Sequence, residues 1–336
     1  MSRMKFLPVT LTLLALAASG FAEPKLTKTM WRGIEAFALS DGRSEAVVVP
    51  KLGGRVMEYR RAGGANWLWL GEPGAEQTPP TQFWGGDKAY IGPHTMWNFT
   101  LPRMWPPPEP DAVEHAAEVL GSGALRTTSP PWEGYDGARI VREYRFEAGG
   151  DFVIRHSIAA VPASRAIGAV WTITQIAPPA AIFVPLNPVS PYKDNFFWFG
   201  YTKAQHRQCA TIVSPSLLKL APVQGEMFKM GAHPPQPALA AVRDGFVLVQ
   251  KADPQEGQYP EGADGAGLSV EVYHHDARGA GEYVEMEAMS PLRRLSAGSV
   301  LTTRWSIHEL PADWTAQTIA GLLSTRDRQD SAQPQR

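Results

Sequence analysis

The chain has 336 residues, a hydrophobic fraction of 44% and a formal net charge of −1 at pH 7. Nucleic-acid binding depends on clustered basic charge, so this balance argues against a nucleic-acid partner. Cys209 is the single cysteine, which excludes an intramolecular disulfide, and the fold must rely on the hydrophobic core that a chain of this length can form. No phosphate-binding loop, dinucleotide fingerprint or metalloprotease helix motif occurs, so we expect neither a metal nor another cofactor.

The first 22 residues have the three-part pattern of a secretory signal peptide. Arg3 and Lys5 form a short basic start, residues 6–18 are largely apolar, and small residues precede a predicted cleavage after Ala22. The apolar stretch is shorter than the ~20 residues that span a bilayer, which favours cleavage over a membrane anchor. We therefore expect a periplasmic or secreted protein that keeps no membrane span.

Short runs rich in β-branched and aromatic residues follow, separated by glycine and proline. Leu301, Trp305 and Ile307, for example, share one face of an alternating run. A period of two with frequent turn residues predicts antiparallel strands. The sequence thus predicts an all-β protein, with one large antiparallel β-sandwich over residues 23–312 and a short helix and disordered tail in residues 313–336.

Two alternating runs in the last third predict a hairpin with one apolar and one polar face. In every register that buries the apolar side chains together, Glu271 shares a face with Glu285 and Glu287. Like charges that face each other across a sheet destabilise it. Either this face is solvated and the repulsion is tolerated, or the glutamates line a polar groove with Tyr273, Tyr283 and His275. Crowding in such a groove raises at least one carboxyl pKa toward a range useful for proton transfer.

Three local patterns occur in a fixed order along the chain. A strand, a proline and a glycine pair occupy residues 47–56, a Phe-Trp-Gly-Gly-Asp-Lys segment occupies residues 83–88, and a Tyr-Val-Glu-Met-Glu strand begins at Tyr283. In this order and spacing the chain resembles the galactose-mutarotase-like superfamily, and more narrowly a bacterial branch whose activity is unassigned. The resemblance covers residues 46–310 and implies a large antiparallel sandwich whose concave face binds sugars.

The resemblance also implies roles for individual residues. Epimerases of the superfamily use a glutamate as base at the anomeric hydroxyl of the sugar and a histidine as acid at the ring oxygen. Glu285 matches the position of that base, and Glu287, the second candidate catalytic carboxylate, matches only a position of the narrower branch. The strand at residues 171–175 carries no histidine where the superfamily has one. We therefore consider His94, which follows a proline, as the candidate acid.

Residues close to the glycine pair at positions 85–86 are further candidate ligand contacts. The ring of Trp84 is suited to stack on a sugar, because aromatic faces pack well against C–H groups. Lys88 and Arg55 are the nearest basic groups, and they are predicted to pair with an acidic sugar or with Glu285 and Glu287. Asp87 is a further predicted ligand contact. The alternative is that Trp84 fills the core and the charged groups lie on the surface. The predicted substrate-binding set is Arg55, Trp84, Asp87, Lys88, Glu271 and Tyr283.

These patterns favour an exported carbohydrate-binding protein, with or without aldose-epimerase-type activity. Two alternatives stay open: a polysaccharide lyase or hydrolase acting on an acidic glycan, and a non-catalytic envelope module that binds another protein. A lyase needs a cation that neutralises a uronate, for which Lys88 or Arg55 would serve.

Overall fold

The computed structural model describes residues 23–71, 85–93, 97, 110–111, 113–121, 123–262, 267–277 and 281–324. The predicted signal peptide at residues 1–22 and the predicted tail beyond residue 324 lie outside these ranges. Within them the chain forms, in order, β1 (Lys25–Trp31), β2 (Ile34–Ser40), β3 (Ser44–Val49), β4 (Arg55–Arg61), β5 (Asp87–Gly92), β6 (Ala116–Leu120), β7 (Ala124–Thr128), β8 (Ile140–Phe146), β9 (Phe152–Ile158), β10 (Ile167–Ile176), β11 (Ala181–Pro185), β12 (Phe197–Trp198), β13 (Ala210–Ser214), β14 (Leu217–Leu220), β15 (Phe228–Ala232), β16 (Ala238–Arg243), β17 (Phe246–Ala252), β18 (Val270–Ala277), β19 (Gly281–Met289), β20 (Arg293–Arg294), β21 (Ser299–Glu309) and α1 (Ala316–Ser324).

These strands form two sheets that pack against each other. The first sheet has the order β1-β2-β3-β4-β5-β10-β19-β18-β15-β12, with β20 paired to β10 at its margin. The second sheet has the order β13-β14-β11-β16-β17-β21-β9-β8-β7-β6. Every pairing between these strands is antiparallel. The predicted all-β antiparallel sandwich is confirmed.

The main core lies between the two sheets and follows from the alternation along each strand. Val284 and Met286 of β19 are buried in one cluster with Ile154 of β9 and Trp305 of β21. Burial of apolar surface is worth about 25 cal/mol per Å², so these inward residues hold the sheets together. Because successive side chains of a strand point to opposite faces, the intervening residues of β19 face away from this core.

The helix α1 packs on the outer face of the second sheet. Ile319 and Leu323, one turn apart on the helix, are buried in a cluster with Phe183 of β11 and Val247 of β17. In the ranges that the structure describes, no helix is long and apolar enough to cross a membrane.

A buried ion pair connects the two sheets beside the junction of β4 and β5. In the described residues these two strands share a single paired position, Val56 with Asp87. Arg142 of β8 pairs with the Asp87 carboxylate and donates to the backbone oxygens of Gly54 and Asp87 at 3.1 Å each. Thr174 donates to the same carboxylate at 2.8 Å. A side chain of the second sheet thus fixes the backbone on both sides of this junction.

Candidate functional site

The candidate site lies on the outer face of the first sheet, across β5, β10, β19, β18 and β15. The hairpin of β18 and β19 has a register that places Glu271 opposite Glu287 and Tyr273 opposite Glu285. The predicted hairpin and its division into an apolar face and a carboxylate-bearing face are confirmed. Residues opposite each other in a ladder have Cβ atoms about 5 Å apart, so the three carboxylates are close neighbours.

Lys229 of β15 pairs with two of these carboxylates. Glu271 and Glu287 are fully buried, so the interpretation of this face as solvated is wrong for both positions. The Lys229 ammonium nitrogen lies 2.6 Å from Glu271 Oε2 and 3.1 Å from Glu287 Oε1. It also lies 5.1 Å from the ring centres of Trp171 and Phe199. Buried charges are tolerated when they are paired in this way.

Glu287 is held by two donors, and Glu271 faces the same cation. Trp171 Nε1 donates to Glu287 Oε2 at 2.7 Å, and Lys229 donates to the same oxygen at 3.1 Å. Burial raises the pKa of Glu271 above the usual glutamate range, while the charges of Lys229 and Glu287 act on it in opposite directions. Neither carboxyl group has exposed surface, so both belong to the buried framework of the site.

Glu285 differs from these two residues because it is only partly buried. Its Oε1 accepts a hydrogen bond from Gln175 Nε2 at 2.8 Å. Burial, followed by the charge of Glu287, raises the pKa of Glu285 to about 7, although Lys88 and Lys229 act in the opposite direction. A carboxyl group that titrates near neutral pH is suited to accept a proton and return it under physiological conditions.

Aromatic side chains lie around the Glu285 end of the hairpin. The ring of Tyr283 lies 4.4 Å from that of Trp69 and stacks on His275 at 4.7 Å. The hydroxyl of Tyr273, which is opposite Glu285 in the ladder, lies 2.9 Å from His275 Nδ1. Aromatic rings with polar edges suit a site that is apolar on one side and wet on the other.

Lys88 extends the same face on the far side of β10. It is paired with Ile173, which is paired in turn with Glu287, so Lys88 and Glu287 are two strands, or about 10 Å, apart. Burial, followed by the charge of Arg55, lowers the pKa of Lys88 to about 8, and the charges of Glu285 and Glu287 oppose this. The first sheet thus brings two distant sequence motifs to one face.

Two of the predicted ligand contacts are engaged in other ion pairs. Arg55 is fully buried; its Nε and Nη2 donate to the Asp111 carboxylate at 2.9 and 2.6 Å, and its Nη1 donates to the Gly85 carbonyl at 2.9 Å. Asp87 points between the two sheets, where it pairs with Arg142. Breaking a buried ion pair costs about 3–5 kcal/mol, so a ligand would have to offset that cost to bind either group.

Trp84 and His94 lie outside the described residues, and their roles stay predictions. Lys229, Gln175 and Asp111 are the site residues that sequence reasoning missed. Lys229 stands between two apolar residues in a short run, which is typical of a half-buried strand, but the run does not reveal its partners. In the described part of the chain, no group of three or more His, Cys, Asp or Glu residues is arranged to hold a metal ion.

Comparison with known proteins yields matches among solved structures. No protein-family model matches the chain, and no curated protein matches its sequence. A candidate aldose 1-epimerase from Escherichia coli superposes with a TM-score of 0.54 at 12% identity, over 85% of this chain and 100% of the other. A galactose mutarotase-like protein from Lactobacillus casei gives 0.52 at 11% identity, over 84% and 100%. For a TPR-domain-containing protein from Parabacteroides distasonis the values are 0.54 and 14%, over 90% of this chain and 50% of the other.

These likenesses show that the chain has the galactose-mutarotase-like fold. The resemblance drawn from the three sequence patterns is therefore confirmed for the fold. One of the matched proteins is about twice as long as the part that this chain spans. Because one fold hosts many activities, activity has to be argued from the site.

Proposed function

We propose that the protein is exported and binds a carbohydrate on the outer face of the first sheet, around Glu285. The observation that carries this proposal is the position of Glu285: a partly exposed carboxylate beside aromatic rings, on a face whose other two glutamates are buried and paired. Carboxylates accept hydrogen bonds from sugar hydroxyls, and bonds to charged groups are worth about 1.5–3 kcal/mol. The signal-peptide pattern of residues 1–22 supports export.

The chemistry that this site supports best is aldose-epimerase-type proton transfer. Glu285, with its pKa near 7, would take the proton of the anomeric hydroxyl while an acid protonates the ring oxygen, so that the ring opens and can close on either face. His94 stays the acid predicted from the sequence. Two described ammonium groups lie on the same face: Lys229 is paired with Glu271 and Glu287, and Lys88, with a pKa of about 8, has the protonated form needed at neutral pH.

Isothermal calorimetry with a panel of neutral aldoses and uronates tests the binding proposal. We expect Glu285→Gln to weaken binding of the responding sugar by about 1.5–3 kcal/mol, and to slow any interconversion of anomers by about 10²-fold or more. Glu114→Gln, at an exposed position, is the matched control and should change neither. Equal affinities and rates for Glu285→Gln and the unsubstituted protein would remove Glu285 from the site.

The uronate arm of the same panel addresses the acidic-glycan alternative. That alternative needs a cation beside the uronate, and of its two candidates Arg55 is engaged with Asp111, so the alternative depends on Lys88. Binding of uronates in preference to neutral sugars would favour the acidic-glycan alternative.

Export is tested separately. Mass spectrometry of the mature protein should find a terminus near Glu23, and an intact Met1 on the abundant form would contradict the proposal.

A further inference from the structure

Lys229 is the centre of the buried charge cluster beneath the candidate site. Its ammonium group contacts Glu271 of β18 and Glu287 of β19, and its backbone is fixed by Thr202, whose hydroxyl donates to Lys229 O at 3.0 Å and accepts from Lys229 N at 2.9 Å. Phe199 N also donates to Lys229 O at 3.1 Å. Side chain and backbone are therefore held from several elements at once.

The charges in this cluster do not balance without Lys229. Glu271 and Glu287 are opposite each other in the ladder and both are fully buried. Two carboxylates that share a site cannot both stay ionised unless a cation compensates them, and otherwise one of them takes up a proton. Trp171 supplies Glu287 with one neutral donor, but only Lys229 among the described residues forms an ion pair with either glutamate.

Lys229 also acts on Glu285, which it does not contact. It is opposite Tyr273, which is opposite Glu285, so the backbones of Lys229 and Glu285 are two strands, or about 10 Å, apart, and the Lys229 ammonium reaches toward the strand of Glu285 to contact Glu287. The groups that share this face with Glu285 are Glu287 and Tyr283 of its own strand, Gln175 of β10, Lys88 of β5, Glu271, Tyr273 and His275 of β18, and Lys229 of β15. Two of them are cations.

We propose that Lys229 is a positioning residue, which neutralises Glu271 and Glu287 and so leaves Glu285 as the carboxylate that meets the ligand. The proposal rests on the role of Glu285 given above, yet it predicts a property of the protein without ligand. At about 10 Å and an effective dielectric constant of about 20, one positive charge favours the ionised form of a carboxyl by about one pH unit. Loss of Lys229 should therefore raise the pKa of Glu285.

The test compares full-length Lys229→Met with the double variant Lys229→Met/Glu271→Gln. The single variant leaves two buried carboxylates without a cation, so its urea midpoint should fall strongly. The double variant removes one charge of each sign, so it should recover much of that loss and provide a folded protein. A double variant no more stable than the single one would overturn the pairing of Lys229 with Glu271.

The decisive readout is the pH at which Glu285 titrates. It is measured as the pH above which the stability difference between each background and the same background carrying Glu285→Gln stops growing, which marks the pKa of Glu285 in the folded protein. Because Glu271 is a close neighbour of Glu285 as well, the double variant is compared with Glu271→Gln alone, from which it differs only in Lys229. We expect this pH to be about one unit higher in the double variant, a change that a purely structural role would not produce. An equal value in the two backgrounds would overturn the proposal. No sugar is needed, so failure of the carbohydrate proposal would be seen in calorimetry and not here.

Discussion

Substitution of Glu285 by Gln should change stability in a pH-dependent way. The substitution keeps the shape of the side chain and its hydrogen bond from Gln175, but it removes the charge. The pKa of Glu285 rises from its ordinary value of 4.5 to about 7 in the folded protein. The folded state therefore binds this proton more tightly than the unfolded state, and ionised Glu285 lowers the free energy of unfolding.

The sign and size of the effect follow from linkage. Below pH 4.5 Glu285 is protonated in both states and contributes no penalty; between pH 4.5 and 7 the penalty grows, and above pH 7 it is complete. At about 1.4 kcal/mol per pH unit the penalty has an upper bound of about 3 kcal/mol. Solvent screening of a partly exposed carboxyl reduces it, and we expect about 1–2 kcal/mol.

Urea unfolding of Glu285→Gln and the unsubstituted protein at a series of pH values between 4.5 and 8 measures this penalty. The variant should match the unsubstituted protein at the acid end and exceed its stability by about 1–2 kcal/mol at pH 8. Glu114→Gln, at an exposed position, should show no such trend. A stability difference that is the same at pH 5 and pH 8 would refute the argument that the pKa of Glu285 is raised in the folded protein.

Two further substitutions test the framework of the site. Gly53 has φ of +70°, and a Cβ placed there would lie 1.6 Å from the carbonyl oxygen of Asp111, so Gly53→Ala should displace Asp111 from Arg55 and lower the free energy of unfolding by about 3 kcal/mol or more. The control is Gly63→Ala, with φ of +72° and open space around it, which should lower the free energy of unfolding by only about 1–2 kcal/mol. Equal losses for the two variants in urea unfolding would refute the clash at Gly53. Asp87→Asn leaves the buried Arg142 without its counter-charge and should cost about 3–5 kcal/mol, measured in the same way, whereas a loss below 1 kcal/mol would show that the pair contributes little.

The fold could be predicted from the sequence because alternation is a local property. Val284 and Met286 lie between Tyr283, Glu285 and Glu287, and burying the first pair turns the other three outward from the core whatever the register. That reasoning also located the carboxylate face of the hairpin. It required no knowledge of which strands lie on either side.

The partners of these residues could not be predicted, since they come from strands that are distant in sequence. Lys229 meets Glu271 only because β15 pairs with β18, and no short pattern encodes that pairing. Arg55 was expected near the ligand, but its partner Asp111 lies 56 residues further on. Asp87 and Lys88 were assigned together to the ligand, although neighbouring residues of one strand point to opposite faces; strand periodicity alone would have separated them.

In the part of the chain that the structure describes, β4 and β5 share one paired position, so the ladder of the first sheet is thinnest at this junction. Elsewhere the hydrogen bonds of the ladder hold neighbouring strands together. Here Arg142 of the opposite sheet donates hydrogen bonds to the backbone oxygens of Gly54 and Asp87 and so connects the two strands. Movement of β1–β4 against the remainder of the first sheet would need few ladder bonds to break. Among the described residues, Arg142 and Arg55, whose Nη1 donates to the Gly85 carbonyl at 2.9 Å, therefore supply across this junction part of what the ladder supplies elsewhere, and two guanidinium groups restrain one half of the sheet against the half that carries Lys88 and the glutamates.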